Sequence, residues 1–254
     1  MQAILRAFSL PKEGSSPAEN EDAWACSAAE APSLGALRLA LADGASETSF
    51  ARLWAKMLAR AYAQGAWDGT PPAAKALEIL RRRWSLAVSR RPLPWHAEEK
   101  VRQGAYATFL GLLLDLPQEG TAAWQAVAIG DSCLVHLRLG EPLRIFPAGS
   151  REDLPSRPEA LSSLPGDRAD LLFASGRAEA GDRLLLMTDA LARWCLGRKD
   201  RGGRPWRSLC RLEDTGPEAF ARFIAARRTA GDLRNDDVTL VSISLVEGPP
   251  CCRS

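Results

Sequence analysis

Five short apolar runs in this chain begin or end on an acid. Asp22 precedes "AWAC", and Asp43 closes "LRLALA". Asp131 follows "QAVAIG", and Asp189 follows "RLLLMT". Asp236 and Asp237 precede "VTLVSISL". Runs this short and this apolar read as buried strands. A carboxylate is costly inside such a core, and strand ends of a sandwich come together along an edge, where these five acids could meet in one cleft. A single strand-end aspartate is ordinarily a turn former, as in Asp43-Gly44 or the "GDS" around Asp131. Asp189 fits that explanation poorly. It lies between "MT" and "AL" with no Gly or Pro beside it. Glu21 and Asp22, side by side at the mouth of a strand, need a positive partner, which can be an arginine, a lysine or a metal.

The order of elements limits the architecture. "AILRAFSL" and "AWACSA" read as strands, and "LGALRLALADG" as a strand running into a turn. Phe50, Leu53, Trp54, Met57, Leu58, Ala61 and Tyr62 follow a helical period, with Ser46 or Thr48 as its cap and Gly65 at its end. Leu77, Leu80, Trp84, Leu86 and Val88 mark a second helix, and "PWHAEEKVR" a short third. "AYATFLGLLLDL", "TAAWQAVAIG" and "SCLVHLRLG" read as an antiparallel meander. Residues 140–180, rich in Pro, Ser, Gly and charge, read as a long irregular insertion. "GDRLLLMTDAL" is a strand entering a helix, "GPEAFARFIAARR" a helix and "DDVTLVSISLV" a last strand. Strand runs separated by helices predict an α+β fold. Two antiparallel sheets packed face to face with helices outside use these elements economically.

The remaining composition excludes more than it proposes. The chain has 254 residues and a net charge of +2, which favours neither nucleic acid nor an anionic membrane. The clusters Arg81-Arg82-Arg83 and Arg227-Arg228 read as solvated helix faces. No stretch reaches the roughly 18 apolar residues of a membrane helix, and "MQAILRAFSLPKEG" does not read as a signal peptide. The six cysteines lack paired spacing, so zinc is not expected, and reduced thiols fit a cytoplasmic protein. Cys251 and Cys252 read as tail residues. His136 lies in an apolar run and reads as packed or surface-facing rather than catalytic. His96 has no motif around it, and the eight tryptophans read as packing.

Carboxylates gathered without enough basic partners require a cation. Oxygen donors without nearby His or Cys select Mg²⁺ or Mn²⁺. Two such ions roughly 3.5–4 Å apart suit phosphoryl transfer.

The motifs "NEDAW", "LADGAS", "GAYATFLGLLL", "AIGDSCLVHLR", "LLLMTDAL" and "DDVTLVSI" occur in the order seen in metal-dependent protein phosphatases of the PPM, protein phosphatase 2C-like type. The chain resembles that family from about residue 4 to 246, as a divergent bacterial-type member. The resemblance implies one phosphatase domain over 1–254, with a core at about 4–246, a flap-like insertion at 140–180 and a tail at 247–254. It implies a four-layer α-β-β-α sandwich with a two-metal site at one edge. By position, Asp43 would bridge two Mn²⁺ or Mg²⁺ ions and the Gly44 carbonyl would bind one of them. Asp189 and Asp236 would bind the other, and Glu21 and Asp22 would act mainly through metal-bound waters. Asp131 matches a position that helps hold a third ion in some bacterial members, and Thr108 a position that supports the sheet. The implied activity is hydrolysis of phosphoserine and phosphothreonine in proteins, the products of a Ser/Thr kinase, in signalling. A water activated between the metals attacks phosphorus in line, so Ser132 and Cys133 are structural.

The sequence departs from the family at four places. Pro17 and Ala18 stand where many members carry a phosphate-gripping Arg, which leaves Lys12 and Arg6 as candidates. Ser46-Glu47 replaces a Gly pair, Ala45 stands where some eukaryotic members have His, and Ala190 follows Asp189 in place of Gly. These departures keep two other functions open. One is a pseudophosphatase that binds phosphoproteins as a regulator, and the other is a hydrolase of small phosphorylated metabolites.

Overall fold

The computed structural model describes residues 1–27, 35–48, 50–67, 73–90, 99, 101–166 and 169–248. His96, most of the "PWHAEEKVR" stretch, and Cys251 and Cys252 lie outside the described residues. Eleven strands and five helices are described. In chain order they are β1 (Gln2–Leu10), β2 (Asp22–Cys26), β3 (Gly35–Gly44), α1 (Ala51–Ala63), α2 (Ala73–Ser89), β4 (Tyr106–Leu116), β5 (Ala122–Ile129) and β6 (Cys133–Arg138). Then come β7 (Glu141–Phe146), β8 (Leu161–Ser162), β9 (Leu172–Ala178), β10 (Arg183–Met187), α3 (Asp189–Asp200), α4 (Pro205–Thr215), α5 (Pro217–Thr229) and β11 (Val238–Val246). One antiparallel sheet has the order β1-β11-β10-β6-β7. The other runs β2-β3-β4-β5-β9, with β8 paired to β4.

Each sheet is covered on both faces, which explains why its strands are apolar almost throughout. In β3, Leu37, Leu39 and Leu41 point between the sheets, where they meet Leu110, Leu112, Leu184, Leu186, Val241 and Ile243. Ala40 and Ala42, one residue out of phase, face α1 and α2 through Trp54, Leu58 and Trp84. On the far side, Leu185, Met187 and Leu240 pack against Trp194, Trp206 and Phe220 of α3–α5. Three apolar layers therefore separate four structural layers, and the expected α-β-β-α sandwich is the observed one.

Several local expectations are corrected. β6 does not continue the meander of β4 and β5 but joins the other sheet beside β10 and β7. The switch occurs at Gly130, whose φ of +98° belongs to the region open mainly to glycine. A Cβ there would lie 2.5 Å from the Thr108 side chain. Residues 140–180 are not wholly irregular, since β7, β8 and β9 lie within them. β7 and β9 are edge strands with exposed polar positions, so they lack the apolar density of central strands. α1 begins without a side-chain cap from Ser46 or Thr48. Phe50 takes the capping position at φ 61°, while the Thr48 hydroxyl donates to the Ala45 carbonyl. Leu86 of α2 faces outward, and α4 was not foreseen.

Candidate metal centre

Strand register carries the acids to one edge of the sandwich. Asp22 at the start of β2 pairs with Asp43 at the end of β3, and Asp43 pairs with Thr108 at the start of β4. In the facing sheet, Cys133 at the start of β6 pairs with Met187 at the end of β10, and Met187 with Leu240 near the start of β11. Asp131, Asp189 and Asp236 follow or precede these ends by a few residues.

Asp22 joins the two sheets. Its Oδ2 accepts from Thr239 Oγ1 at 2.7 Å and from Thr188 Oγ1 at 3.0 Å. The Thr188 hydroxyl in turn accepts from the Thr239 amide at 2.9 Å. Among the described residues, Asp22 Oδ1 is buried without a hydrogen-bond partner. Burial raises the Asp22 carboxyl to about 7 against the pull of the two threonines, and the charges of Asp237 and Asp189 add to the rise. Asp43 is held well above the usual carboxylate range, first by burial and then by the charges of Asp22, Asp189, Asp236 and Asp131. Asp189, the first residue of α3, is raised to about 6 by burial and by Asp131 and Asp236, with Arg193 and Arg234 opposing. Five distant acids thus lie within electrostatic reach of one another.

Asp236 and Asp237 divide their work. The Asp237 carboxylate accepts from the backbone amides of Lys12 at 2.8 Å and Glu21 at 2.7 Å, which fastens the β1–β2 loop to β11. Asp236 keeps its carboxylate at the edge, 3.5 Å from Arg234 Nε. Glu21 accepts a short hydrogen bond from the Ser46 hydroxyl, and Lys12 Nζ lies 3.7 Å from its Oε2. Gly44 donates its amide to the Glu21 carbonyl at 3.3 Å. A Cβ on Gly44 would stand 2.9 Å from the backbone of Ala51, so a side chain there would push α1 off the strand.

One expected site residue, Arg6, is not brought in. Arg6 lies mid-strand opposite Ser242, several rungs from the acid edge, and ion-pairs with Asp214 of α4 at 3.0 Å. Asp131 is ion-paired with Arg193 at 2.7 Å, and Arg193 Nε lies 3.6 Å from Asp189. Arg234 reaches Asp189 at 4.0 Å. The expectation that the acids lack basic partners is therefore corrected on the Asp131–Asp189 side. Arg193 and Arg234 were missed, as were Thr188 and Thr239. The one available signal was spacing, since Arg193 stands four residues after Asp189 on the same helix.

Among the described residues, His136 and the Cys133 thiol take no part in the acid cluster. His136 Nε2 is 2.8 Å from Asp182 Oδ2, and both side chains are buried. Burial pushes the Cys133 thiol up to about 12, which leaves it without nucleophilic character. The Ser132 hydroxyl is 3.4 Å from that of Thr108.

The residues fit a hard divalent cation on the Asp22–Asp43 side. There the donors are all oxygen, one carboxylate oxygen is orphaned, and among the described residues neither Asp22 nor Asp43 is ion-paired to a cationic side chain. Among the described residues, no three acid, His or Cys side chains converge tightly enough to ligate one ion as they stand.

No family model and no curated protein matches the sequence. Solved structures do match. The Mycobacterium tuberculosis serine/threonine phosphatase PstP/Ppp is 20% identical, covers 97% of this chain and 100% of its own, and superposes at a TM-score of 0.60. The catalytic domain of PstP in complex with two manganese ions is 22% identical over 96% and 99% of the two chains, at a TM-score of 0.56. The S. agalactiae serine/threonine phosphatase is 14% identical over 95% and 100%, at a TM-score of 0.57. At this sequence distance the likeness is one of architecture, and it agrees with the order of the motifs. The chain has the fold of the PPM-type, protein phosphatase 2C-like serine/threonine phosphatases.

Proposed function

We propose that this chain is a Mn²⁺- or Mg²⁺-dependent phosphatase of phosphoserine and phosphothreonine in proteins. The observation that carries the reading is the Asp22–Asp43 pair. Two carboxylates on adjacent strands face Asp189 and Asp236 across the sandwich, and neither of the first two is ion-paired to a cationic side chain among the described residues. The manganese-bound PstP domain has the same fold, which supports the reading. Bound divalent cations would supply Lewis acidity and a water of lowered pKa.

In this reading Asp43, Asp189 and Asp236 hold the ions, with the Gly44 carbonyl beside them. Asp22 and Glu21 contribute through ordered waters. Thr188 and Thr239 hold Asp22 in its rotamer from the opposite sheet, so the two sheets keep a fixed separation at the site. Arg193 neutralises Asp131, where a third ion would otherwise be accommodated. Arg234, exposed and weakly paired, takes the phosphate-gripping role left vacant at Pro17, with Lys12 on the opposite side. The segment 140–180 borders the site through the Pro155 carbonyl, which accepts from Arg193 at 2.6 Å, and serves as the flap of a single phosphatase domain.

A pseudophosphatase is the second reading. Its motivation is that Arg193 and Arg234 already neutralise part of the acid cluster. Release of phosphate from a phosphothreonine peptide, with Mn²⁺ and with chelator, separates the two. Metal-dependent release supports the phosphatase. Peptide binding at saturating Mn²⁺ without release supports the regulator. Turnover of small phosphate esters alone identifies a metabolite hydrolase.

A further inference from the structure

A second feature opens beside the acid edge. A cavity of about 400 Å³ lies between the β1–β2 loop and α1, and Asp22 and Asn20 form part of its wall. Arg52, Lys56 and Arg60 line the opposite wall, one helical turn apart along a single face of α1. Trp24 of β2 lines it as well, with its residue 40% exposed.

Three cations on a helix face are ordinarily a solvated surface. Three observations distinguish these. They line a cavity rather than a convex face. Among the described residues none of them is within ion-pair distance of a carboxylate, whereas Arg6, Arg183 and Arg193 each have a carboxylate partner. Arg52 is also fixed in place, since its guanidinium donates to the carbonyls of Ala18 and Pro17. The Lys56 ammonium is held below its usual range by burial and by the charges of Arg52 and Arg60, so the three charges are close enough to repel one another. An anion relieves that repulsion, and a flat exposed indole gives an extended chain a surface to lie on.

We propose that this cavity binds an acidic stretch of the substrate chain that flanks the phosphorylated residue. The proposal rests on the phosphatase reading only for the identity of that chain. Because Asp22 is shared by the cavity and the acid edge, a segment with its phosphorylated side chain at the edge extends past Trp24 towards Lys56 and Arg60. Arg52, Lys56 and Arg60 then select substrates with carboxylates, or a second phosphate, beside the scissile group.

The test uses three phosphothreonine-mimic peptides with a non-hydrolysable phosphonate. One has Glu flanks, one has Gln flanks, and one has a phosphoserine in the flank. Affinity is measured by fluorescence anisotropy with the full chain. The Glu and phosphoserine peptides are expected to bind about tenfold more tightly than the Gln peptide, and the difference should shrink as salt rises. In Lys56→Gln/Arg60→Gln, which alters two side chains that have no ion pair or side-chain hydrogen bond among the described residues, the three peptides should bind alike. Equal affinity in the unmodified protein, no measurable binding of any peptide, or a preference that survives the double substitution overturns the proposal. Tighter binding of the phosphoserine peptide alone narrows the ligand to phosphate. Hydrolysable versions keep this outcome separate from the phosphatase reading. If the preference holds and no phosphate is released, the phosphatase reading fails and the cavity assignment stands.

Discussion

Asp22 and Asp43 stand directly opposite one another on β2 and β3, and Asp22 reaches across to two threonines of the facing sheet. Like charges opposite one another on a ladder destabilise it. Asp22 is buried and Asp43 half-buried, and desolvation raises both carboxyls. Ionising both carboxyls therefore destabilises the acid edge, and the effect has a sign that can be measured.

A carboxyl held above its unfolded value stabilises the fold while it is protonated. For Asp22 and Asp189 that contribution is complete below about pH 4. It is lost as pH rises through about 6 for Asp189 and about 7 for Asp22. The metal-free protein should lose stability across this window, and Mn²⁺ should restore it, more at pH 8 than at pH 5 because protons compete with the ion. Thermal melting in chelator and in Mn²⁺ at both pH values checks this. A larger metal effect at pH 5 would count against it.

Asp43→Asn should separate stability from function. It keeps the shape and removes one of the repelling charges, so the metal-free melting midpoint should rise by a few degrees. The Mn²⁺-induced rise should vanish, and phosphate release should fall by about 100-fold or more. Melting curves and turnover on the same preparation provide both readings.

Arg193→Ala tests whether an arginine stands in for a metal ion at Asp131. Asp131 is almost fully buried, and its ion pair with Arg193 at 2.7 Å would be lost. Removing one partner of such a pair costs about 3 kcal/mol. The variant should be less stable by that amount in chelator and should recover more than the unmodified protein does when Mn²⁺ is added. Urea unfolding with and without the ion measures both.

Asp182 lies away from the site and should behave independently of it. Burial raises its carboxyl, but hydrogen bonds from Arg138, the Glu179 amide and His136 outweigh this and hold it at about 2. A depressed carboxyl stabilises above its unfolded value, and this contribution is lost as pH falls from about 4 through 2. Asp182→Asn should cost about 2 kcal/mol at neutral pH, flatten the acid limb of the stability profile, and leave the Mn²⁺ effect unchanged. Urea unfolding from pH 2 to 7, repeated with Mn²⁺ at neutral pH, checks all three.

The central strands were legible because they are buried on both faces. "LRLALADG" and "RLLLMTDAL" carry no polar alternation, and each stops at the acid that marks the edge. The acid edge could be anticipated for the same reason, since strand ends of antiparallel neighbours coincide. β7 and β9 were hidden because edge strands tolerate polar residues. The passage of β6 into the other sheet depends on one glycine conformation at Gly130, and no hydrophobic pattern records it. Arg193 and Arg234 were overlooked because an arginine near an acid is common in sequence. Only the fold shows that Arg193 reaches Asp131, 62 positions away.

Calorimetric titration of Mn²⁺ into the chelator-treated protein, alongside Asp43→Asn and Asp189→Ala, tests the central claim most directly. The acid edge is predicted to bind Mn²⁺ in the unmodified protein, with release of protons, and each substitution is predicted to weaken binding at least tenfold. Undiminished binding in both variants, or no binding by the unmodified protein at pH 8, would contradict a metal centre at this edge.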